Sequence, residues 1–140
     1  ADQPMTKPYH AMAITVPAAL LTPRVVYPAY AFDRGAMTES PPYAGTLAMG
    51  SRLALTPTTD LDSLGLLSAE GRVIAAAALR YGFIAVDRGG SGISLRVRSN
   101  PVLANARLRS WNAELQQDLQ KIFTRLYVVP PTADGSVGAP

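Results

Sequence analysis

Hydrophobic and polar residues alternate in several short stretches of the chain, and this period of two is typical of β-strands. The first runs from His10 to Val16, where Met12 and Ile14 alternate with smaller residues and Pro17 ends the pattern. The same argument predicts strands at 24–27, 47–55 and 127–129, with a long loop at 32–45. Each of these strands is short, so the pattern predicts a sheet assembled from separate segments.

Two further strands, 83–87 and 93–98, flank the glycine-dense stretch 88–92. Glycine permits the tight backbone reversals of hairpin turns, so this arrangement predicts an antiparallel β-hairpin. In the second strand, the alternation predicts that Ile93, Leu95 and Val97 face inward and that Ser94, Arg96 and Arg98 face outward. One face of the hairpin is therefore expected to be buried.

Two segments have the three-and-four spacing of amphipathic helices. The first spans 69–81 and is rich in alanine, with Ser68 as its N-cap and Gly82 as its C-terminal stop. The second begins after Ser110 and carries a wide apolar stripe, composed of Trp111, Leu115, Leu119, Ile122, Phe123 and Leu126. Both stripes need an apolar surface, and the predicted sheet supplies one.

These elements predict an α+β fold, in which a mainly antiparallel sheet or sandwich half is covered by two amphipathic helices. We expect an extended arm at 1–8, a single domain at 9–129 and a flexible tail at 130–140. A chain of 140 residues is long enough to bury one core without disulfides.

Composition excludes several classes of function. The chain has no cysteine and one histidine, so thiolate sites and multi-histidine metal sites are excluded, and no metal or cofactor is predicted. Its net charge of +3, from 13 basic and 10 acidic residues, is too weak and too dispersed to predict nucleic-acid binding. No apolar run approaches the roughly 20 residues of a membrane-spanning helix.

The first residues, Ala1-Asp2-Gln3-Pro4, lack an initiator methionine and resemble an N-terminus left by cleavage. On this basis we expect a secreted or periplasmic protein.

Several segments together resemble the C-terminal part of an uncharacterised family of secreted bacterial β-rich proteins, often actinobacterial and associated with polysaccharides. The resemblance rests on 10–12 (HAM), 27–29 (YPA), 49–53 (MGSRL), 60–66, 74–87 with its ALRYG, and 119–129. Members are typically longer, with a preceding β-rich part that carries further His and Asp residues. The resemblance therefore implies that the chain packs against another protein chain or against that missing part, and it implies no particular reaction.

His10 and Asp87 are the candidate catalytic residues, since an imidazole paired with a carboxylate supports general acid–base chemistry. Asp60 or Asp62 is the candidate second carboxylate of a glycosidase pair. The alternative for His10 is a strand-end side chain bonded to a loop, and for Asp87 a turn-stabilising aspartate.

Tyr27, Tyr30 and Tyr43 are candidate ligand-binding residues because exposed aromatic rings stack on sugar rings. Arg96 and Arg98 are candidates for binding a phosphate or carboxylate. The alternatives are loop anchors for the tyrosines and a solvated sheet face for the arginines.

Three functions follow as hypotheses. The first is a secreted structural or carbohydrate-associated module that packs against another protein part, with polysaccharide as a possible second partner. The second is a polysaccharide-acting hydrolase or lyase that uses His10 and Asp87. The third is an extracellular filament or assembly subunit, in which the arm at 1–8 pairs with a neighbouring copy.

Overall fold

The computed structural model of the chain describes residues 10–39, 41–96 and 113–130. Several predictions fall elsewhere and lie outside the described residues: the arm at 1–8, residues 131–140 of the tail, Val97, Arg98, the Ser110 cap and Trp111.

The described strands form two sheets. The larger is a mixed sheet of five strands in the order β6-β1-β5-β4-β7, and the smaller pairs β2 with β3 in parallel. Their bounds are β1 Met12–Val16, β2 Leu21–Val25, β3 Leu47–Met49, β4 Arg52–Ala54, β5 Phe83–Arg88, β6 Ser94–Leu95 and β7 Tyr127–Val129. In the larger sheet, β1 and β5 are parallel and the other neighbouring pairs are antiparallel. Together with two α-helices among the described residues, this confirms the α+β class.

The predicted hairpin between 83–87 and 93–98 is wrong, because β1 lies between the two strands. β1 pairs in parallel with β5 on one edge and antiparallel with β6 on the other. The glycine-dense connection crosses the end of β1, where the Gly89 N–H donates to the Val16 carbonyl at 2.8 Å. A Cβ at Gly89 would lie 2.6 Å from Thr15 Oγ1, so glycine here permits a close crossing rather than a two-strand turn.

The predicted strand at 47–55 is divided at Gly50, whose φ of +89° turns the chain from the small sheet into the large one. A side chain at this position would meet the Val26 carbonyl at 2.0 Å. Every residue from Leu47 to Leu55 is buried, which removes the contrast between faces that alternation assumes. The strand predicted at 24–27 lies slightly earlier, at Leu21–Val25.

The first helix, α1, spans Ala69–Arg80, and its predicted cap is confirmed because the Ser68 side chain accepts from the Gly71 N–H. It ends before Gly82, which has a φ of +76°. The second helix, α2, spans Ala113–Phe123. Phe123 packs edge-on against Phe83 of β5, with ring centroids 5.6 Å apart. The core lies on this face of the large sheet, and each fully buried large apolar side chain contributes about 1.5–3 kcal/mol.

Candidate functional site

We call the face of the large sheet that points away from the core the open face; among its residues Val86 is exposed, whereas Arg52 is buried. The open face is formed by the residues that alternate with the core-facing ones in the three central strands: Ala13, Thr15, Arg52, Ile84 and Val86. Val86 lies in β5 at a bulge, between Ala85, which pairs with Ile14 of β1, and Asp87, which pairs with Thr15, and the residue is 40% exposed. A solvated sheet face normally carries polar residues, so this exposed valine indicates a surface that another group covers.

A groove of about 290 Å³ adjoins the open face. One wall is the loop segment from Pro28 to Ala31, and the other is formed by β5 with Met49 and Gly50. Tyr30 is 95% exposed at its rim. The side chains that line the groove are apolar apart from the phenolic hydroxyl of Tyr30, so its chemistry suits an apolar ligand surface better than a charged one.

Arg88, at the end of β5, fastens the loop that contains this wall. Its Nε donates to Asp33 Oδ2 at 2.7 Å, and its Nη1 donates to the Pro41 carbonyl at 2.7 Å. Its guanidinium also lies over the ring of Tyr43, with Cζ 4.9 Å from the centroid. A planar guanidinium can make all three contacts at once, and the loop is thereby tied to the sheet.

Asp33 is the acidic partner in this clamp, and it is held in its ionised form. The backbone N–H of Gly35, which donates to Asp33 Oδ1 at 3.0 Å, is the main cause of a lowered pKa. Desolvation opposes this shift, and Arg88 lowers the pKa of Asp33 further through its hydrogen bond and its charge. The clamp is therefore a charged pair at neutral pH.

The structure does not bring His10 and Asp87 together. Asp87 pairs with Thr15 near the end of β1, whereas His10 lies before the beginning of the same strand. Five residues of strand correspond to roughly 17 Å. His10 is exposed, with Nδ1 2.8 Å from the Ala11 carbonyl oxygen, and Asp87 accepts from the Arg88 N–H at 2.8 Å. Each side chain therefore contacts its own chain neighbour.

The three candidate tyrosines have different environments. Tyr27 and Tyr30 are 67% and 95% exposed, so their rings are free to contact a ligand. Tyr43 is only 5% exposed, and its ring packs against Phe32 at 6.4 Å between centroids and against Arg88. Tyr43 therefore anchors the loop, as the alternative interpretation expected.

The remaining candidates lie apart from the groove lining. Arg96 is exposed, and its Nη1 is 3.5 Å from Asp87 Oδ2; Arg98 lies outside the described residues. Asp60 caps a short 3-10 helix at Leu61–Leu64 by accepting from the Asp62 N–H. Solvated pairs and local caps of this kind stabilise structure only slightly.

Sequence reasoning missed Asp118, a fully buried carboxylate on α2. It accepts from the N–H of Leu67 at 2.8 Å, the N–H of Ser68 at 2.8 Å and the Ser68 hydroxyl at 2.6 Å. Desolvation raises the pKa of Asp118, but these bonds and the charge of Lys121 outweigh it, and the net shift is downward. The sequence does contain a signal for this residue, because Asp118 is a carboxylate that interrupts the apolar stripe of the second helix next to Leu119. Its role is to hold the N-terminus of α1.

No helix in the described part of the chain is long and apolar enough to cross a membrane. Residues 10–39, 41–96 and 113–130 likewise contain no group of three or more acidic or histidine side chains that could hold a metal ion. Comparisons of the chain with protein-family models, with curated proteins and with solved structures found no match.

Proposed function

We propose that the chain is a non-catalytic structural module that packs against another polypeptide through the open face and the adjoining groove. The observation that carries this proposal is the 40% exposure of Val86, an apolar residue that lines the groove beside Ile84. An apolar side chain at such a position gains about 25 cal/mol for each Å² that a partner removes from water.

The fixed shape of the groove supports the same proposal. Arg88 ties the loop at Asp33 and Pro41, and Gly50 lets the backbone approach Val26 closely. A wall that is already ordered loses little conformational entropy when a partner binds, and this favours association. The separation of His10 from Asp87 favours a binding role over the hydrolase or lyase hypothesis.

Photo-crosslinking in the cells that produce the protein tests the proposal. A benzophenone amino acid replaces Val86 in one variant and the exposed Arg72 of α1 in a matched control. We expect a discrete polypeptide adduct from position 86, none from position 72, and a weaker adduct when Tyr30→Asp is added. No polypeptide adduct at position 86, or equal adducts at both positions, would contradict the proposal.

Carbohydrate binding is the second candidate, because Tyr30 at the rim of the groove and Tyr27, which precedes Pro28 of its wall, both present exposed rings. Aromatic rings of this kind stack on the apolar faces of sugars. A panel of immobilised polysaccharides distinguishes it from the first proposal. If sugar stacking is the function, Tyr30→Ala weakens retention at least tenfold while Tyr43→Phe, a change at a buried ring, leaves retention unchanged.

A further inference from the structure

Arg52, in β4, is a buried cation in the large sheet. Its side chain lies on the same face as Ile84 of β5 and Val129 of β7, the residues opposite it on the two neighbouring strands. The residue is only 8% exposed. Among residues 10–39, 41–96 and 113–130, no hydrogen-bond acceptor contacts its Nε or Nη2, and both nitrogens are enclosed.

An arginine cannot relieve this situation by losing its proton, because the guanidinium stays charged at any physiological pH. Burial lowers the pKa of Arg52 through desolvation, since a low-dielectric surrounding disfavours the charged form. A buried charge without a partner is strongly destabilising, so proteins pair such groups. An anion that reaches Arg52 would therefore bind with a favourable free energy.

The two enclosed nitrogens identify the shape of that anion. Nε and Nη2 lie on the same side of the guanidinium, and their N–H bonds point in parallel. This fork matches two oxygens on one atom, as in a carboxylate. The open face offers one positive charge, so a monoanion neutralises it, whereas a phosphate dianion would leave a buried negative charge.

We propose that Arg52 binds one carboxylate group through Nε and Nη2. Tyr127 of β7 is close enough to act electrostatically on the guanidinium, and it shares the face through its pairing with Ala54. Because Nε and Nη2 are enclosed, a carboxylate reaches them only when the flexible Arg52 side chain changes rotamer.

This site rests on a different observation from the proposed function, and it stands if that function fails. The carboxylate has two sources: a small free acid, or an acidic side chain on another polypeptide. Acetate represents the first source, and a capped aspartyl dipeptide represents the second. The dipeptide binding more than tenfold tighter than acetate assigns the site to a polypeptide, and the reverse assigns it to a small acid.

The experiment measures thermal unfolding of the purified chain in sodium acetate against sodium chloride at equal ionic strength. We expect acetate to raise the melting temperature of the wild type in a saturable way, with half of the effect at an acetate concentration of about 10 mM. At 100 mM acetate the rise in melting temperature amounts to about 4 °C. Arg52→Met abolishes the acetate effect, whereas Arg24→Met, at an exposed strand position, retains it. Arg52→Lys keeps a positive charge but lacks the paired N–H donors of the guanidinium, so the acetate concentration that gives half of the effect rises at least tenfold.

The Lys variant and direct acetate titration of the wild type by calorimetry keep the test decisive if Arg52→Met does not fold. An acetate response that is identical in the wild type and the Arg52 variants overturns the proposal. The proposal is also overturned if neither acetate nor the dipeptide changes the melting temperature in a saturable way relative to chloride. Ordered water alone would then satisfy Nε and Nη2 of Arg52.

Discussion

Replacing Asp118 with asparagine tests the role of a buried charge in joining the two helices. The change keeps the shape of the side chain, and it converts one acceptor oxygen into an amide donor. The amide oxygen can retain the two bonds from Ser68, at 2.8 and 2.6 Å, but the amide nitrogen then faces the Leu67 N–H. One charge-assisted hydrogen bond is lost, and a backbone donor is left without its acceptor.

The free energy of this loss follows from its two components. A hydrogen bond to a charged group contributes about 1.5–3 kcal/mol. The negative charge at the N-terminus of α1 adds about 0.5–2 kcal/mol when it is shielded from water. We expect Asp118→Asn to lower the free energy of unfolding by about 3 kcal/mol at pH 7, a large share of the roughly 5–15 kcal/mol of a typical domain.

The stability difference between the wild type and Asp118→Asn should depend on pH in a definite direction. Because the pKa of Asp118 in the folded protein lies below its ordinary value of 3.8, its contribution is fully present above that value. It is lost as the pH falls through the lowered folded pKa. Asp33 shifts in the same direction, so the informative quantity is the difference between wild type and variant. That difference should shrink below pH 4.

Urea denaturation followed by circular dichroism at several pH values measures both effects. Glu114→Gln provides the matched control, since it makes the same chemical change at an exposed position of the same helix. We expect the control to stay within about 0.5 kcal/mol of the wild type. An Asp118→Asn variant as stable as the control, or a difference that is constant from pH 2 to 7, would refute the reasoning.

Three glycine substitutions give further expectations, each measured by urea denaturation. Gly71→Ala should destabilise the chain by about 2 kcal/mol although alanine favours helices, because the new Cβ would lie 2.2 Å from Asp118 Oδ2; a more stable variant would contradict this. Gly50→Ala should cost about 3 kcal/mol, since its φ is +89° and the Cβ would meet the Val26 carbonyl at 2.0 Å; a loss below about 1 kcal/mol would argue against this close approach. Gly90→Ala meets nothing within 4 Å and has no positive φ, so it should stay within about 0.5 kcal/mol of the wild type, and a larger loss would reveal a contact there.

The helix α1 shows what local sequence information predicts well. Ser68, the alanine run and Gly82 act within one or two turns of chain, and the structure places the cap, the helix and its end as expected. The closing strand at Tyr127–Val129 was also predicted correctly, because Pro130 bounds it locally. In both cases the residues that bound the element are its immediate neighbours in the sequence, although Asp118 and β4 stabilise the two elements from a distance.

Strand order was decided by tertiary structure. The glycines at 89, 90 and 92 permit both a hairpin turn and a crossing over another strand, and the local sequence is the same in either case. β1 enters between β5 and β6 because its residues are apolar or small on both faces, and both of its edges need hydrogen-bond partners. That partner choice depends on residues about seventy positions apart.

The amino-acid sequence by itself determined the class of fold, the helices and the positions where strands can form, since periodicity and capping are local properties. Only the tertiary structure decided which face of the sheet stays open around Val86, where Asp118 and Arg52 are enclosed, and that His10 and Asp87 lie apart. Burial and electrostatic pairing depend on which segments meet in space, and that choice minimises the free energy of the whole chain rather than of any one segment.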